Sequence, residues 1–241
     1  MQLAIDIGNS VLKFALYDGT AIQHRGASIG ELETALSHSA DNVTHCMIAS
    51  VTDHQPVAIL LKKHNVNFSL LSFHTHLPIA NLYGSPDTLG MDRITLAVAG
   101  HHLSEGTPVL VIGAGTCITY DFVDGGGYHG GAISTGITMR FRALQHFTSR
   151  LPLIDWSEYR DSTFNILTGT DSQQSILTGV LRGVIHEIDG TIDDYKRRYS
   201  GLRVMVTGGD MAFLVKNLKN DIFARPDMVL EGLNYIILHD A

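Results

Sequence analysis

Apolar residues along the chain fall into two kinds of run. Short dense runs occur at Leu3 to Ile7, Val11 to Tyr17, Thr44 to Val51, Val109 to Ile112, Ile118 to Val123 and Val204 to Val206, and these read as strands. Longer stretches with helical spacing occur at Gly30 to His38, Pro56 to His64, Asp92 to Leu103, Gly136 to Thr148, Gln173 to Tyr199 and Pro226 to Leu238. In the stretch from Gln173, residues Ile176, Leu177, Val180, Leu181, Val184, Ile185, Ile188 and Ile192 share one helical face. The same stretch carries Gly179, Gly183 and Gly190. Each costs a helix about 1 kcal/mol relative to alanine, so close packing is expected there, in the core or at a dimer seam. Strands interleaved with helices give an α/β class.

One strand pattern occurs twice. Leu3-Ala4-Ile5-Asp6-Ile7-Gly8 leads through Asn9-Ser10 into Val11 to Tyr17 and the turn signal Asp18-Gly19, which reads as a β-hairpin. About 107 residues later, Val109-Leu110-Val111-Ile112 runs into Gly113-Ala114-Gly115-Thr116, then Ile118 to Val123, then Asp124-Gly125-Gly126-Gly127. Gly8 aligns with Gly115, Asn9 with Thr116, Ser10 with Cys117 and Asp6 with Gly113. So long a period suggests two similar halves facing each other rather than a solenoid. The boundary is expected near Gly106-Thr107-Pro108, giving halves 1–107 and 108–241.

Composition narrows the class of partner. The chain has 241 residues and a net charge of −7, with 44% hydrophobic and 17% charged residues, which is globular usage. The acidic balance argues against nucleic acid or an anionic membrane as partner, but not against a small anionic ligand held by backbone N–H groups and a metal ion. Two cysteines, Cys46 and Cys117, are too few for a disulfide framework and fit reduced thiols in the cytoplasm. The N-terminus lacks a basic region and meets Asp6 at once, so no signal peptide is expected, and no apolar run is long enough for a membrane span. The 13 histidines are scattered, without metal-ligand spacing.

Several clusters can carry chemistry. Asp6 ends a strand beside Gly8, Asn9, Ser10 and Lys13, a set that can hold hydrated Mg²⁺ and phosphate, or simply close a hairpin. Gly90-Met91-Asp92-Arg93 opens a helix. Asp92 is either a helix cap or a base for a substrate hydroxyl, with Arg93 orienting an anionic or carbonyl group. Gly115-Thr116-Cys117-Ile118-Thr119 repeats the first turn. Thr207-Gly208-Gly209 and Gly130-Gly131-Ala132-Ile133, with Gly136-Ile137, read as further glycine turns at strand ends. None of these glycine clusters by itself forms G-x-G-x-x-G, and no P-loop motif is present.

Together these segments resemble the type III pantothenate kinases, a family of the actin-like superfamily of ATPases and sugar kinases. The matching elements are residues 6–13, Tyr83, Gly90 to Arg93, Gly115 to Asp121, Tyr128-His129-Gly130-Gly131-Ala132-Ile133, Leu151-Pro152 and Thr207-Gly208-Gly209. They span nearly the whole chain. The resemblance implies two ribonuclease-H-like halves with mixed sheets around a central nucleotide cleft, and a homodimer whose second subunit helps close the substrate site. It implies transfer of the ATP γ-phosphoryl group to the primary hydroxyl of pantothenate, the first step toward coenzyme A. Asp6, Ile7, Gly8, Asn9, Ser10, Val11, Leu12 and Lys13 would bind ATP, with Asp6 near Mg²⁺ and Thr116 a further contact. Tyr83, Gly90, Met91, Asp92 and Arg93 would bind pantothenate, with Ser172 at the place of a substrate-contacting threonine and Asp92 as catalytic proton acceptor.

Three positions depart from the family pattern. Gly113 stands where the family has an aspartate that binds a monovalent cation, K⁺ or NH₄⁺. That site is then missing, or built from carbonyls and a neighbour such as Asp121, or its loss lowers activity. Ser10 and Ser172 replace threonines and keep their hydroxyls. Two other readings stay open: an actin-like kinase for another small molecule, against which Tyr83 and Gly90 to Arg93 argue, and a catalytically weak regulatory relative, which Gly113 favours.

Overall fold

The structure is a computed structural model that describes residues 1–8 and 11–240. The chain forms two compact units. The first comprises Met1–Gly106, Val123–Gly130 and the residues from Asp227 onward; the second comprises Thr107–Phe122 and Gly131–Pro226.

The first unit is built on β1 (Gln2–Ile7), β2 (Leu12–Asp18), β3 (Ala21–Gly26), β4 (His45–Ser50) and β5 (Ser69–Leu70), in the sheet order β3-β2-β1-β4-β5. β1 runs antiparallel to β2 and parallel to β4. With a side-chain period of two, Leu3, Ile5 and Ile7 face one side and pack with Phe14, Leu16 and Ile48. The helices α1 (Ile29–Ser39) and α2 (Gln55–Lys63) add Leu32, Leu36, Val57 and Leu61 to that core. The Ser28 hydroxyl accepts from Glu31 N at 3.2 Å and the Glu31 carboxylate accepts from Ala27 N at 2.7 Å, which fixes the start of α1. The opposite face of β1, which carries Ala4 and Asp6, is covered by the last helix of the chain, α7 (Met228–Asp240), and α7 packs in turn on α3 (Met91–Leu103). Burial on both faces explains why β1 reads as an almost unbroken apolar run.

The second sheet has the order β10-β9-β6-β7-β8, from β6 (Val109–Ala114), β7 (Cys117–Asp124), β8 (Gly127–Thr135), β9 (Arg203–Thr207) and β10 (Phe223–Ala224). Counted from its own first strand this is the same 3-2-1-4-5 order as the first sheet, so the sequence repeat is also a topological repeat. The helices are α4 (Ile137–His146), α5 (Ser172–Arg198) and α6 (Met211–Asn217). The long face of α5 lies in the core as expected, with Leu181, Val184, Ile188 and Ile192 fully buried. Its glycines play no part in that packing: a Cβ built on Gly179, Gly183 or Gly190 meets nothing within 4 Å.

The main elements lie where the apolar pattern puts them, and the α/β class with mixed sheets holds. One expectation is corrected. Gly130-Gly131-Ala132-Ile133 is not a turn but the middle of β8. Glycine normally argues against a strand interior, and here it marks a close approach, as the site shows. Among the described residues, no helix is long and apolar enough to cross a membrane.

Candidate active site

In the antiparallel register of β1 and β2, Asp6 lies opposite Lys13. The strand period directs the Asp6 side chain away from Leu3, Ile5 and Ile7, to the face covered by helices. There burial, and after it the negative charge of Asp92, pushes the Asp6 carboxyl up to about 6, with Lys13 pulling the other way. The structure thus brings Asp6, Lys13 and Asp92 into one electrostatic neighbourhood. Gly8 donates its N–H to Val11 O at 3.2 Å. Ile7 is buried, Leu12 is half-buried and Val11 is exposed. Asn9 and Ser10 lie outside the described residues.

Asp92 is not a helix cap. Gly90 occupies the cap position of α3, and its carbonyl accepts from Arg93 N at 3.0 Å and Ile94 N at 3.3 Å. A Cβ on Gly90 would sit 2.5 Å from Asp92 Oδ1, so the absence of a side chain there makes room for the Asp92 carboxylate over the start of the helix. Met91 is half-buried, and its carbonyl accepts from the Thr95 hydroxyl.

The buried Arg93 carries its guanidinium carbon 5.6 Å from the centre of the Tyr83 ring. Tyr83 stacks at 6.0 Å on Tyr128, which is fully buried. The backbone holds this arrangement. Tyr128 N donates to Ala80 O and Leu82 N donates to Tyr128 O, both at 2.9 Å, so residues 80–82 lie along the start of β8. Gly130 has φ +101°, and a Cβ there would be 2.9 Å from Tyr83 Cδ2. Tyr128 and Gly130 form the wall against which Tyr83 rests. Their motif is visible in the sequence, but this part is not; the adjacent glycines inside a strand are the available signal. Next to them, His129 Nε2 pairs with Asp124 Oδ1 at 2.7 Å.

The second unit carries the repeated turn. Gly115 N donates to Cys117 O at 3.0 Å and Gly136 N donates to Thr116 O at 3.1 Å, which leaves the Thr116 side chain exposed. Gly113 pairs with Thr207 in the parallel register of β6 and β9. Gly208 follows β9 with φ +103°, and Asp210 N donates to Ala114 O at 3.1 Å. Burial pushes the Asp210 carboxyl up to about 6, against Arg160 at 3.4 Å. Ser172 is exposed at the start of α5, beside its capping residue Asp171. A cavity of about 440 Å³ in this unit, lined by Phe164, Arg182, His186 and Lys219 among others, contains none of the candidate ATP-binding, substrate-binding or catalytic residues. No cluster of three or more histidine, cysteine or acidic residues suited to a metal exists among the described residues.

Known proteins match this chain over nearly its whole length. The family model described as type III pantothenate kinase matches residues 2–194. A protein of Bacteroides fragilis named type III pantothenate kinase is 44% identical over 243 residues, covering 98% of this chain and 97% of its own. Two solved structures share the fold at low identity. A candidate Baf family transcriptional activator from Campylobacter jejuni has a TM-score of 0.61 at 22% identity, covering 99% of this chain and 98% of its own. A candidate N-acetylmannosamine kinase from Listeria monocytogenes has a TM-score of 0.54 at 15% identity, covering 99% of each chain. The chain belongs to the type III pantothenate kinase family.

Proposed function

We propose that this protein transfers the γ-phosphoryl group of ATP to the primary hydroxyl of pantothenate, giving 4′-phosphopantothenate and ADP, as the first step toward coenzyme A. The observation that carries the reading is the grouping of Asp6, Asp92, Arg93 and Tyr83 in the first unit. Asp92 lies free of any capping duty at a glycine that makes room for it, and it acts as the proton acceptor. The pantothenate oxygen forms a bond to the γ-phosphorus, the bond from that phosphorus to the β–γ bridging oxygen breaks, and the hydroxyl proton passes to Asp92. Arg93 and Tyr83 orient pantothenate, with Gly90, Met91 and Ser172 as further contacts. Residues 6–13 and Thr116 bind ATP. Phosphoryl transfer asks mainly for positioning and charge neutralisation, which suits a site of this composition.

The residues present fit a divalent cation. Asp6 is a desolvated carboxylate next to a second one, with Lys13 as the cation that lowers it, so a hard cation bound through oxygen is a natural complement. Mg²⁺ held at Asp6 would supply charge neutralisation for the phosphate oxygens. A monovalent cation fits less well, because Gly113 has no side chain to ligate it, and no step is assigned to one. Two features support related proposals. The open surroundings of Gly179, Gly183 and Gly190 leave room on α5 for a second copy of the chain in a homodimer. The common strand order supports reading two similar halves along the sequence, 1–107 and 108–241, although Val123–Gly130 and the residues from Asp227 onward pack with the first unit. Cytoplasmic location is proposed with the activity.

The experiment is incubation of purified protein with ATP, Mg²⁺ and pantothenate, with and without K⁺, followed by detection of 4′-phosphopantothenate. Product without need of K⁺ is expected. Gly113 favours one second reading, a catalytically weak regulatory relative, and absence of product under both conditions would support it.

A further inference from the structure

Four side chains of the second unit form a closed polar network that none of the roles above uses. Arg140 lies one turn into α4, and its guanidinium folds back toward the end of β8. Its Nε donates to Thr135 O at 2.9 Å, and its Nη2 donates to Ser134 Oγ at 3.0 Å and to Glu187 Oε2 at 2.5 Å. Glu187, on α5, accepts at its other oxygen from the Tyr120 hydroxyl of β7 at 2.9 Å. The Arg140 and Glu187 side chains are 20% and 30% exposed, so the pair is partly sheltered from water. Burial pushes the Glu187 carboxyl up, and hydrogen bonds from Arg140, Tyr120 and Ser134 more than reverse this, leaving it below its ordinary value.

The network matters because of the glycine next to Thr135. Gly136 donates its N–H to Thr116 O at 3.1 Å, and a Cβ on Gly136 would lie 2.0 Å from Gly115 O and 2.5 Å from Thr116 O. The backbone entering α4 is therefore pressed against the Gly115-Thr116 turn, so a shift of residues 134–136 would bear directly on that turn. Arg140 holds these residues from three sides. Its backbone N–H donates to Gly136 O at 3.1 Å, its guanidinium takes the Thr135 carbonyl and the Ser134 hydroxyl, and Glu187 anchors it to α5. A planar guanidinium can make these bonds together, and a lysine ammonium cannot.

We propose that Arg140, braced by Glu187, is a positioning residue for the Gly115-Thr116 turn, and so sets the affinity for ATP without touching the nucleotide. This rests on the reading of Thr116 as an ATP contact. The test compares Thr116→Ala, Arg140→Lys, Glu187→Gln and the double variant Arg140→Lys/Glu187→Gln with the parent protein. It measures KM for ATP, KM for pantothenate, kcat and the melting temperature. Loss of a charge-assisted bond at this bracket is expected to raise KM for ATP about tenfold in Arg140→Lys and about threefold in Glu187→Gln. KM for pantothenate should stay within about twofold, and the double variant should raise KM for ATP by less than the product of the two single effects. If Thr116→Ala raises KM for ATP while Arg140→Lys and Glu187→Gln do not, the bracket is refuted and the ATP reading stands. If Thr116→Ala leaves KM for ATP unchanged, the ATP reading of the turn fails and the bracket has no site to position. Equal shifts in both KM values, or soluble protein lost in both bracket variants, would reduce Arg140 and Glu187 to structural residues and overturn the proposal.

Discussion

The charge of Asp92 acts on Asp6. After burial, it is the second cause that holds the Asp6 carboxyl up at about 6, although the two residues are separated by most of the first unit's sequence. The fold thus places two carboxylates close together in a partly desolvated site, at a cost to the ligand-free protein.

That cost has a definite pH dependence. A carboxyl raised in the folded state from 3.8 to about 6 favours folding most below the unfolded value, and this contribution is lost as pH rises through 6. In metal-free and nucleotide-free protein, Asp6→Asn should therefore raise stability at pH 8 by about 2–3 kcal/mol, with the gain vanishing below about pH 4. Chemical denaturation at both pH values checks this. A destabilised Asp6→Asn variant at pH 8 would contradict it.

Gly90→Ala tests the space over the first turn of α3. The backbone at residue 90 has φ −61° and ψ 130°, which alanine adopts freely, so the fold should tolerate the change. The new Cβ would lie 2.5 Å from Asp92 Oδ1 and must move the carboxylate. Displacing a reacting group by about 1 Å costs about 10²-fold, so kcat should fall by about that factor with the melting temperature nearly unchanged. Kinetics and calorimetry on the same preparation separate the two effects.

Gly130→Ala should behave differently. Here φ is +101° and the Cβ would press on the Tyr83 ring, so the variant carries backbone strain of about 1–3 kcal/mol and displaces a proposed substrate contact. Lower stability together with a raised KM for pantothenate, at unchanged KM for ATP, is the expected pattern. An unaltered KM for pantothenate would remove Tyr83 from the substrate site.

Gly113→Asp would restore a carboxylate at the end of β6, opposite Thr207. The expected outcome is a rate that responds to K⁺ where the parent protein does not. An identical cation response in both proteins would make the position irrelevant to activity.

The legibility of these features in the sequence depends on their range. The hairpin of β1 and β2 and the core face of α5 depend on local periodicity and are readable. β3 is not, because Ala21 to Arg25 are exposed on an edge strand and show no apolar alternation. β5 and β10 are two residues long, too short for any pattern. β8 reads as a turn because Gly130 and Gly131 imitate one. Asp6 and Asp92 are each visible as candidates, but their proximity depends on which face of β1 the helices cover. An apolar pattern shows that α7 must be buried without showing that it is buried against β1.

The account depends most on Asp92 taking the proton of the acceptor alcohol. Asp92→Asn keeps the shape and removes the base, so the most direct measurement is phosphorylation of pantothenate by parent and variant under saturating ATP and Mg²⁺. The expected result is a fall in kcat of about 10²–10⁴-fold, with an unchanged circular dichroism spectrum and melting curve. Near-parental turnover by a correctly folded Asp92→Asn protein would contradict the account.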